Sequence, residues 1–527
     1  MLRDRTRALA GRYTRSPVTV AIVVLTVLAA CLRLYRIGHQ SLWFDEAYTV
    51  MLVKLPLGHM LSTIPKTEST PYLYYLLAWV WTHIFGHGAA DLRSLSALIG
   101  TAVVPVAYLA TLRLIENRRV AVSVAALAAF NPLLIWYSQE ARAYELLVLT
   151  SACTLLAFAY ARERPSRGRL TAWALTCGVA LVSHYDAALV VVPEAIWLLA
   201  VHWRSVGSRL AVAFVAACGG GLLPLLIAQS NAGNAAWIKK APLNDRLGQI
   251  LPQFLLGTGT RGYTELKWLG FVLAAVALVL LGCGGGGRDQ ISSTDRRRAA
   301  GVAAIMLGGF AIVMAVDAAG SDTILTRNLL ALWLPLAMLV AAGLAAVRAW
   351  RVGAAITVLL CAIGLTATIS VATTGTLERP DWAAVAKALG PWPAAGQPAG
   401  ATRVLLFQRD PWLKSLSQVY LLHASQVGKD PPPTHDTTEI DVIVNSSPAG
   451  AQNHWLCWWG AGCNLYPSKL AQRYRIPGFR PVAHIRIGQF TILRLVANHP
   501  RSVYKGQVFR AMLKADSPLF GRLNQRS

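Results

Sequence analysis

Residues 17–49 read PVTVAIVVLTVLAACLRLYRIGHQSLWFDEAYT. The first part, 17–36, is an apolar run of the length, roughly 20 residues, that an α-helix needs to cross a hydrocarbon core of about 30 Å. Arg3, Arg5, Arg7, Arg12 and Arg15 precede it. They resemble the charged start of a signal peptide, but the run ends without a small-residue cleavage site, so it reads as a first helix that stays in the chain. Just past it stand two adjacent carboxylates, Asp45 and Glu46, framed by Trp43, Phe44 and Tyr48. Loop residues would not need that aromatic frame. At a membrane surface, paired carboxylates serve as a general base or bind a cation.

Runs like 17–36 recur along the chain. Of its 527 residues 55% are hydrophobic and 14% charged, with a mean hydropathy of +0.45, which is too apolar for a soluble protein of several domains. A backbone in lipid must satisfy its own hydrogen bonds. The expected fold is therefore an all-α polytopic membrane bundle with a small extracytoplasmic α/β domain at the carboxyl end. Helices are expected at 17–36, 92–113, 120–137, 142–161, 170–184, 186–202, 209–228, 265–283, 299–318, 327–347 and 352–373, about 11 transmembrane helices. With the basic tail 1–16 in the cytoplasm, alternate turns carry Arg113, Arg118 and Arg119; Arg162, Arg164, Arg167 and Arg169; Arg204 and Arg209; Arg288 and Arg296–Arg298; and Arg348 and Arg351. All fall inside, as positive loops do. The parity holds only if 71–85 (PYLYYLLAWVWTHIF) stays out of the count. Its short length, with Tyr and Trp throughout, suits an interfacial or re-entrant helix in a first outer loop spanning 37–91.

Three parts follow: the tail 1–16, a transmembrane domain 17–373, and an outer domain 374–527. The last has prolines (Pro391, Pro393, Pro431–Pro433), charge and short β-type runs such as RVLLFQ and EIDVIVN. DWAAVAKAL (381–389) reads as a helix starting at Asp381, and RIGQFTILRL (486–495) as a late strand. The net charge of +25 does not imply nucleic acid, because the positives lie in short clusters between apolar runs and in the last third. The Gly284–Gly287 run lacks the Lys-Ser/Thr of a phosphate loop and reads as a flexible cytoplasmic connection. Cys31, Cys153, Cys177, Cys218, Cys283 and Cys361 lie in apolar runs as small packing residues. Cys457 and Cys463 sit in a polar Trp- and Gly-rich stretch, where an oxidising compartment favours a disulfide.

Polar residues that lipid rejects gather on the expected outer side: Asp45, Glu46, Lys66 and Glu68; Gln139, Glu140, Arg142 and Glu145; His184 and Asp186; Asp317, Asp322 and Arg327. Such a convergence of acids and arginines is a functional candidate. Each also has a plainer reading. Glu140 and Arg142 suit the start of the next helix. His184 and Asp186 form a turn pair, a metal ligand set or a phosphate contact. Arg93 snorkels or pairs with an acid, and Arg327 anchors at the interface or clamps a phosphate. Tyr72, Tyr74, Tyr75, Trp79 and Trp81 form a membrane belt or a sugar platform.

The order of these motifs resembles the GT-C superfamily of integral-membrane glycosyltransferases, in particular protein O-mannosyltransferases, lipid A aminoarabinose transferases and related polyprenyl-phosphate sugar transferases. Asp45-Glu46 corresponds to that family's Asp-Glu pair in the first outer loop. Glu68-Ser69-Thr70-Pro71-Tyr72-Leu73-Tyr74-Tyr75 resembles its acidic-x-His-Pro-Pro-Leu-Tyr-Tyr motif, and Leu92-Arg93-Ser94-Leu95-Ser96 its Leu-Arg-x-x-Ser. Tyr137-Ser138-Gln139-Glu140-Ala141-Arg142-Ala143-Tyr144 resembles its Tyr-Ser-Gln-Glu-Ala-Arg-x-Tyr loop, and Arg379-Pro380-Asp381-Trp382 the Asp-Trp start of bacterial outer domains. The likeness covers roughly residues 17–345. Thr70 stands where His is usual and Tyr72 replaces the second proline, departures that bear on any metal site built on that His and on the acceptor.

The resemblance implies transfer of one sugar from a polyprenyl-phosphate carrier to an acceptor hydroxyl outside the cytoplasm, with inversion, at a multi-pass protein of the cell membrane. Asp45 takes the acceptor proton, and Glu46 orients it or pairs with Arg93. Arg142 and Arg327, helped by Lys66 and Arg93, meet the donor phosphate. Glu68, Tyr74, Tyr137, Gln139, Glu140, His184 and Asp186 line the substrate site, and Glu68 with Glu140 leaves a divalent cation open. The acceptor is a glycan, lipid or protein. The rival readings are a transporter or flippase of lipid-linked sugars, which calls for charges at mid-membrane and repeat symmetry between halves, and a structural envelope protein, which leaves the paired acids idle.

Overall fold

The computed structural model describes residues 17–236, 238–257, 264–283, 293–345, 350–373, 379, 381–390, 402–407, 424–428, 434–445, 476–487, 490–503 and 519–523. It divides into two compact units, 1–37 with 52–370, and 38–51 with 371–527. The basic tail 1–16, the Gly284–Gly287 run, and Cys457 and Cys463 lie outside the described residues.

The first unit is a helix bundle. Among the described residues eight helices are long and apolar enough to cross a membrane, nine if the bent pair Arg118–Phe130 and Pro132–Ser138 counts as one span. The expected segments 170–184 and 265–283 are helical too. The first is Arg167–Ser183, 17 residues and thus about 25 Å long. The second lies in Thr264–Cys283, where Trp268–Val279 is a short apolar stretch. The count of eight or nine, against about 11, is of the described residues and leaves out these two helices. The pair bends by 53° because Pro132 ends the first helix at the residue before it. Asn131 then caps the second helix, its Oδ1 accepting from the amides of Leu133 and Leu134 at 3.1 Å. Small residues bring helices close elsewhere: a methyl at Gly343 would fall on the Ala277 carbonyl, so only glycine allows that packing.

The stretch 37–91, expected as a first outer loop, is largely helical. It holds Phe44–Val53, Leu57–Thr67 and Leu73–Phe85. The last of these packs only along the first turns of Ala89–Ile115: the Tyr74 hydroxyl meets Ser96 Oγ at 3.0 Å, and Trp81 Nε1 donates to the Asp91 carbonyl at 2.9 Å. With 13 residues it is about 20 Å long and stays at one end of its 27-residue neighbour.

Basic side chains collect at the other end of the bundle. Arg113 and Arg169 lie over the two sides of Tyr160 at 4.3 and 5.6 Å from its centroid, and Arg162 over Trp197 at 5.5 Å. Arg298 pairs with Glu116.

The second unit is a six-stranded mixed sheet of order β2-β6-β1-β3-β5-β4, with β1 Thr402–Phe407, β2 Ala424–Gly428, β3 Thr434–Asn445, β4 Arg480–Ile487, β5 Phe490–Val503 and β6 Leu519–Leu523. β1 runs parallel to β3. The stretch 486–495, expected as one strand, instead belongs to two antiparallel strands, with Ile487 pairing directly with Phe490. The helix expected at 381–389 is Trp382–Leu389, capped by Asp381, whose Oδ1 accepts the Ala384 amide at 3.0 Å. Residues 38–51 belong to this unit through contacts that sequence separation hides. Ser41 Oγ donates to Asp381 Oδ1 at 2.7 Å, and Ala47 is buried with Trp382, Val385 and Leu389.

Under the sheet, Arg403 on β1 faces Glu439 and Asp441 on β3 at 2.6 and 2.9 Å, and Arg494 on β5 reaches both acids at 2.9 Å. Burial raises the Asp441 carboxyl to about 6, against the pull of Arg403. Arg403 is 1% exposed, so removing it leaves two buried acids with one arginine. Arg403→Met is expected to destabilise this unit by roughly 3 kcal/mol, read as an early transition in thermal unfolding of the whole protein.

Candidate functional site

Pro71 keeps Thr70 out of helical geometry, so the chain runs extended from the end of Leu57–Thr67, with Glu68 at φ −114° and ψ 163°. Two amides from the end of Val206–Asn231 and just beyond hold this stretch. Gln229 Nε2 donates to the Thr70 carbonyl at 3.0 Å while its Oε1 accepts the Tyr185 hydroxyl at 2.8 Å. Asn234 Nδ2 donates to the carbonyls of Lys66 and Glu68 at 3.2 and 3.3 Å.

So fixed, Glu68 points inward. Its Oε2 accepts Arg142 Nη1 at 2.6 Å, with side chains 2% and 9% exposed, and also accepts the Tyr75 hydroxyl. Thr70 Oγ1 lies 3.0 Å from the same hydroxyl, and Arg142 lies 5.9 Å from the Tyr75 ring centre. Burial raises the Tyr75 phenol well above its ordinary range, with Glu68 adding to the rise and Arg142 opposing it, so the ring remains a donor.

Arg142 sits in the turn between Pro132–Ser138 and Tyr144–Glu163, whose amide donates to the Glu140 carbonyl at 2.8 Å. Tyr144 opens the following helix and joins the two halves of the site. Its ring packs on Tyr137 at 4.8 Å and on His184 at 5.9 Å, and Arg327 lies over it at 5.7 Å. Arg327 comes from a short 3-10 helix, Thr326–Leu332, that precedes Trp333–Ala345.

His184 occupies the break between Arg167–Ser183 and Tyr185–Ala187 and is 4% exposed. Its Nδ1 accepts the Asp186 amide at 3.2 Å. An amide only donates, so the ring proton of the neutral form is on Nε2. Nε2 has no hydrogen-bond partner among the described residues. Asp186 Oδ2 lies 3.3 Å from Nδ1. Burial, reinforced by the charges of Arg142 and Arg327, lowers the His184 imidazole to about 3.

A histidine whose folded pKa is depressed binds fewer protons than the unfolded chain. Its contribution to stability is therefore present above the ordinary pKa of about 6.5 and is lost as pH falls toward about 3. His184→Gln is expected to lose less thermal stability than the wild type between pH 7.5 and 4.5, and a parallel loss in both would refute the assignment.

Of the residues singled out in the sequence, the fold thus assembles Glu68, Arg142, Tyr137, His184, Asp186 and Arg327. Glu140 is fully buried in the same turn as Arg142. Tyr74 is buried beside Tyr75, its ring centre 5.9 Å away. Arg93, 1% exposed, donates to the Ile37 carbonyl at 3.0 Å. Gln139 serves the first helix, its amide donating to the carbonyls of Leu32, Arg33 and Tyr35 at 2.9–3.3 Å. The Lys66 side chain is exposed at a helix end. Asp317 and Asp322, expected beside Arg327, are taken by Arg246 at 3.1 and 2.8 Å. The reason is the amphipathic helix Leu243–Leu256, which the hydropathy profile did not show.

Asp45 and Glu46 stand in the first turn of Phe44–Val53, in the second unit. Asp45 is half-buried and Glu46 fully buried. Glu46 Oε2 accepts the Trp43 amide at 3.2 Å, one half of a capping box. Gln229 and Asn234 escaped the sequence reading, and Thr70 and Tyr144 stood in it only as members of motifs. The available signal was Gln229 and Asn234, amides at the end of an otherwise apolar helix. Among the described residues no group of three or more His, Cys, Asp or Glu could hold a metal ion.

Residues 69–227 match the family model described as dolichyl-phosphate-mannose-protein mannosyltransferase. No curated protein matches the chain in sequence. Among solved structures, ArnT from Cupriavidus metallidurans bound to undecaprenyl phosphate is similar at 13% identity, over 91% of this chain and 99% of that one, with a TM-score of 0.50. The oligosaccharyltransferase AglB from Archaeoglobus fulgidus, in complex with an inhibitory peptide and a dolichol-phosphate, is similar at 14% identity over 71% of this chain and 58% of its own, with a TM-score of 0.40. The family model thus covers residues 69–227, and over most of its length the chain shares the fold of ArnT.

Proposed function

We propose that this protein is a membrane glycosyltransferase of the GT-C type that moves one sugar from a polyprenyl-phosphate donor to an acceptor hydroxyl, with inversion, at the non-cytoplasmic face of the cell membrane. The observation that carries the reading is that Arg327 and His184 both pack on Tyr144, which follows the turn that presents Arg142, and that His184 Nε2 lacks a partner among the described residues. Two guanidiniums and a neutral N–H suit a phosphate monoester that gains charge as its bond to the sugar breaks. That the likeness to ArnT is to a structure holding undecaprenyl phosphate supports the same donor class here. The arginine clusters at the far end of the bundle support an outward-facing site by the positive-inside rule.

In the step we infer, Asp45 removes the acceptor proton as the acceptor oxygen attacks the anomeric carbon. The bond from that carbon to the phosphate oxygen breaks, and the electron pair leaves with the polyprenyl phosphate. Glu46, holding the Trp43 amide, keeps Asp45 in its helical turn. Glu68 orients Arg142, while Tyr74, Tyr137, Gln139, Glu140 and Asp186 shape the space for sugar and acceptor. Arg93 and Lys66 flank this end of the bundle, and the exposed Lys66 meets the approaching lipid phosphate. A divalent cation, if one takes part, would use Glu68 and Glu140.

The test is transfer of labelled sugar in proteoliposomes carrying the purified protein, a polyprenyl-phosphate-sugar series and envelope acceptors. Label moving to an acceptor supports the reading. Label crossing the bilayer still attached to its carrier would support a transporter and overturn it.

A further inference from the structure

A second charged cluster lies inside the bundle, away from the groups that meet the donor. Arg33, near the end of the first helix, is fully buried. Its Nε donates to Ser138 Oγ at 3.0 Å, its Nη2 to the Ala128 carbonyl at 3.0 Å, and its Nη1 to the Ala129 carbonyl at 3.2 Å. Those carbonyls end Arg118–Phe130, where the helix dipole presents negative charge. Glu145, in the first turn of Tyr144–Glu163, is also fully buried, and neither carboxyl oxygen has a hydrogen-bond partner among the described residues. The two meet over Gly100: a Cβ there would stand 3.1 Å from Arg33 Nε and 2.6 Å from Glu145 Oε2, and would overlap Ser138 Oγ. Glycine is required because any side chain would occupy the space between the charges.

Ser138 ends the helix before the turn 139–143 that presents Arg142, and Glu145 is the second residue of the helix after it. A buried acid without hydrogen-bond donors is costly, so an acid here calls for an explanation beyond packing. We propose that Arg33, Ser138 and Glu145, meeting at Gly100, form a positioning device that holds the helices on both sides of this turn and thereby sets Arg142 against Glu68. The inference rests on the proposed role of Arg142 at the donor phosphate. Arg33 draws Ser138 through a hydrogen bond, and Arg33, Ser138 and Glu145 crowd the same space over Gly100, so the turn is held from below while Glu68 engages its tip. None of the three touches substrate.

The experiment is a double-mutant cycle between Glu145→Gln and Arg142→Lys, read as kcat/KM for the polyprenyl-phosphate-sugar donor and, separately, KM for the acceptor. Glu145→Gln and Gly100→Ala are each expected to lower donor kcat/KM by roughly tenfold to a hundredfold, since misplacing a binding group by about 1 Å costs that much. The acceptor KM should stay unchanged. In the Arg142→Lys background, Glu145→Gln should add less than threefold, because the residue it positions is already altered.

Full activity of Glu145→Gln, or losses that multiply with those of Arg142→Lys, would overturn the inference. If Arg142→Lys itself transfers normally, the proposed function fails instead, so the two failures differ. Should Glu145→Gln not fold, Ser138→Ala removes the hydroxyl link without changing charge and carries the same expectation.

Discussion

Arg142→Gln is expected to lower kcat/KM for the polyprenyl-phosphate donor by about 10³-fold, comparable to removing one preplaced donor from the site of a developing oxyanion. The loss has two sources that a second substitution separates. Without Arg142, Glu68 is 2% exposed and loses its cationic partner, which costs roughly 3–5 kcal/mol of stability when one member of a buried pair is removed. Glu68→Gln in the same chain relieves that cost, and the Tyr75 hydroxyl keeps an acceptor at position 68. The double variant should therefore regain much of the thermal stability while transfer stays near the level of Arg142→Gln. Recovery of transfer along with stability would mean that the arginine only holds the fold together, and the phosphate role would fall.

Asp45→Asn should reduce kcat by about 10²- to 10⁴-fold, the range that a positioned general base supplies, with donor KM changed little. Asparagine keeps the shape and the first-turn location, and Asp45 is half-buried, so the loss should come without loss of folding. The contrast with Glu46→Gln is informative: that residue is fully buried and caps its own helix through the Trp43 amide, so its loss should show in stability as well as rate. Transfer at the wild-type rate by Asp45→Asn would remove the base from the mechanism and leave the phosphate site standing.

Much of this protein is legible along one dimension. The spans, the short helix at Leu73–Phe85, the capped helix after Asp381 and the candidate residues 68, 142, 184 and 327 could be found by hydropathy, cap chemistry and charge placed where lipid rejects it. The misses are of two kinds. The two strands inside 486–495 were missed because Ile487 and Phe490 belong to one apolar run whose division shows only in pairing. Arg246 and its helix Leu243–Leu256 were missed because an amphipathic segment among long apolar runs does not stand out, although it takes Asp317 and Asp322.

Composition and the order of motifs determined by themselves that the chain is a helical membrane protein with its charged groups gathered at helix ends, since the cost of placing charge in hydrocarbon acts on each residue in turn. Partnership was decided only by the tertiary structure. Glu68 meets Arg142, Arg33 meets Ser138, and Ser41 meets Asp381 across 74, 105 and 340 positions of sequence. Hydrogen bonds and ion pairs act over a few ångströms of space, and distance along the chain carries no information about which polar groups will share that space.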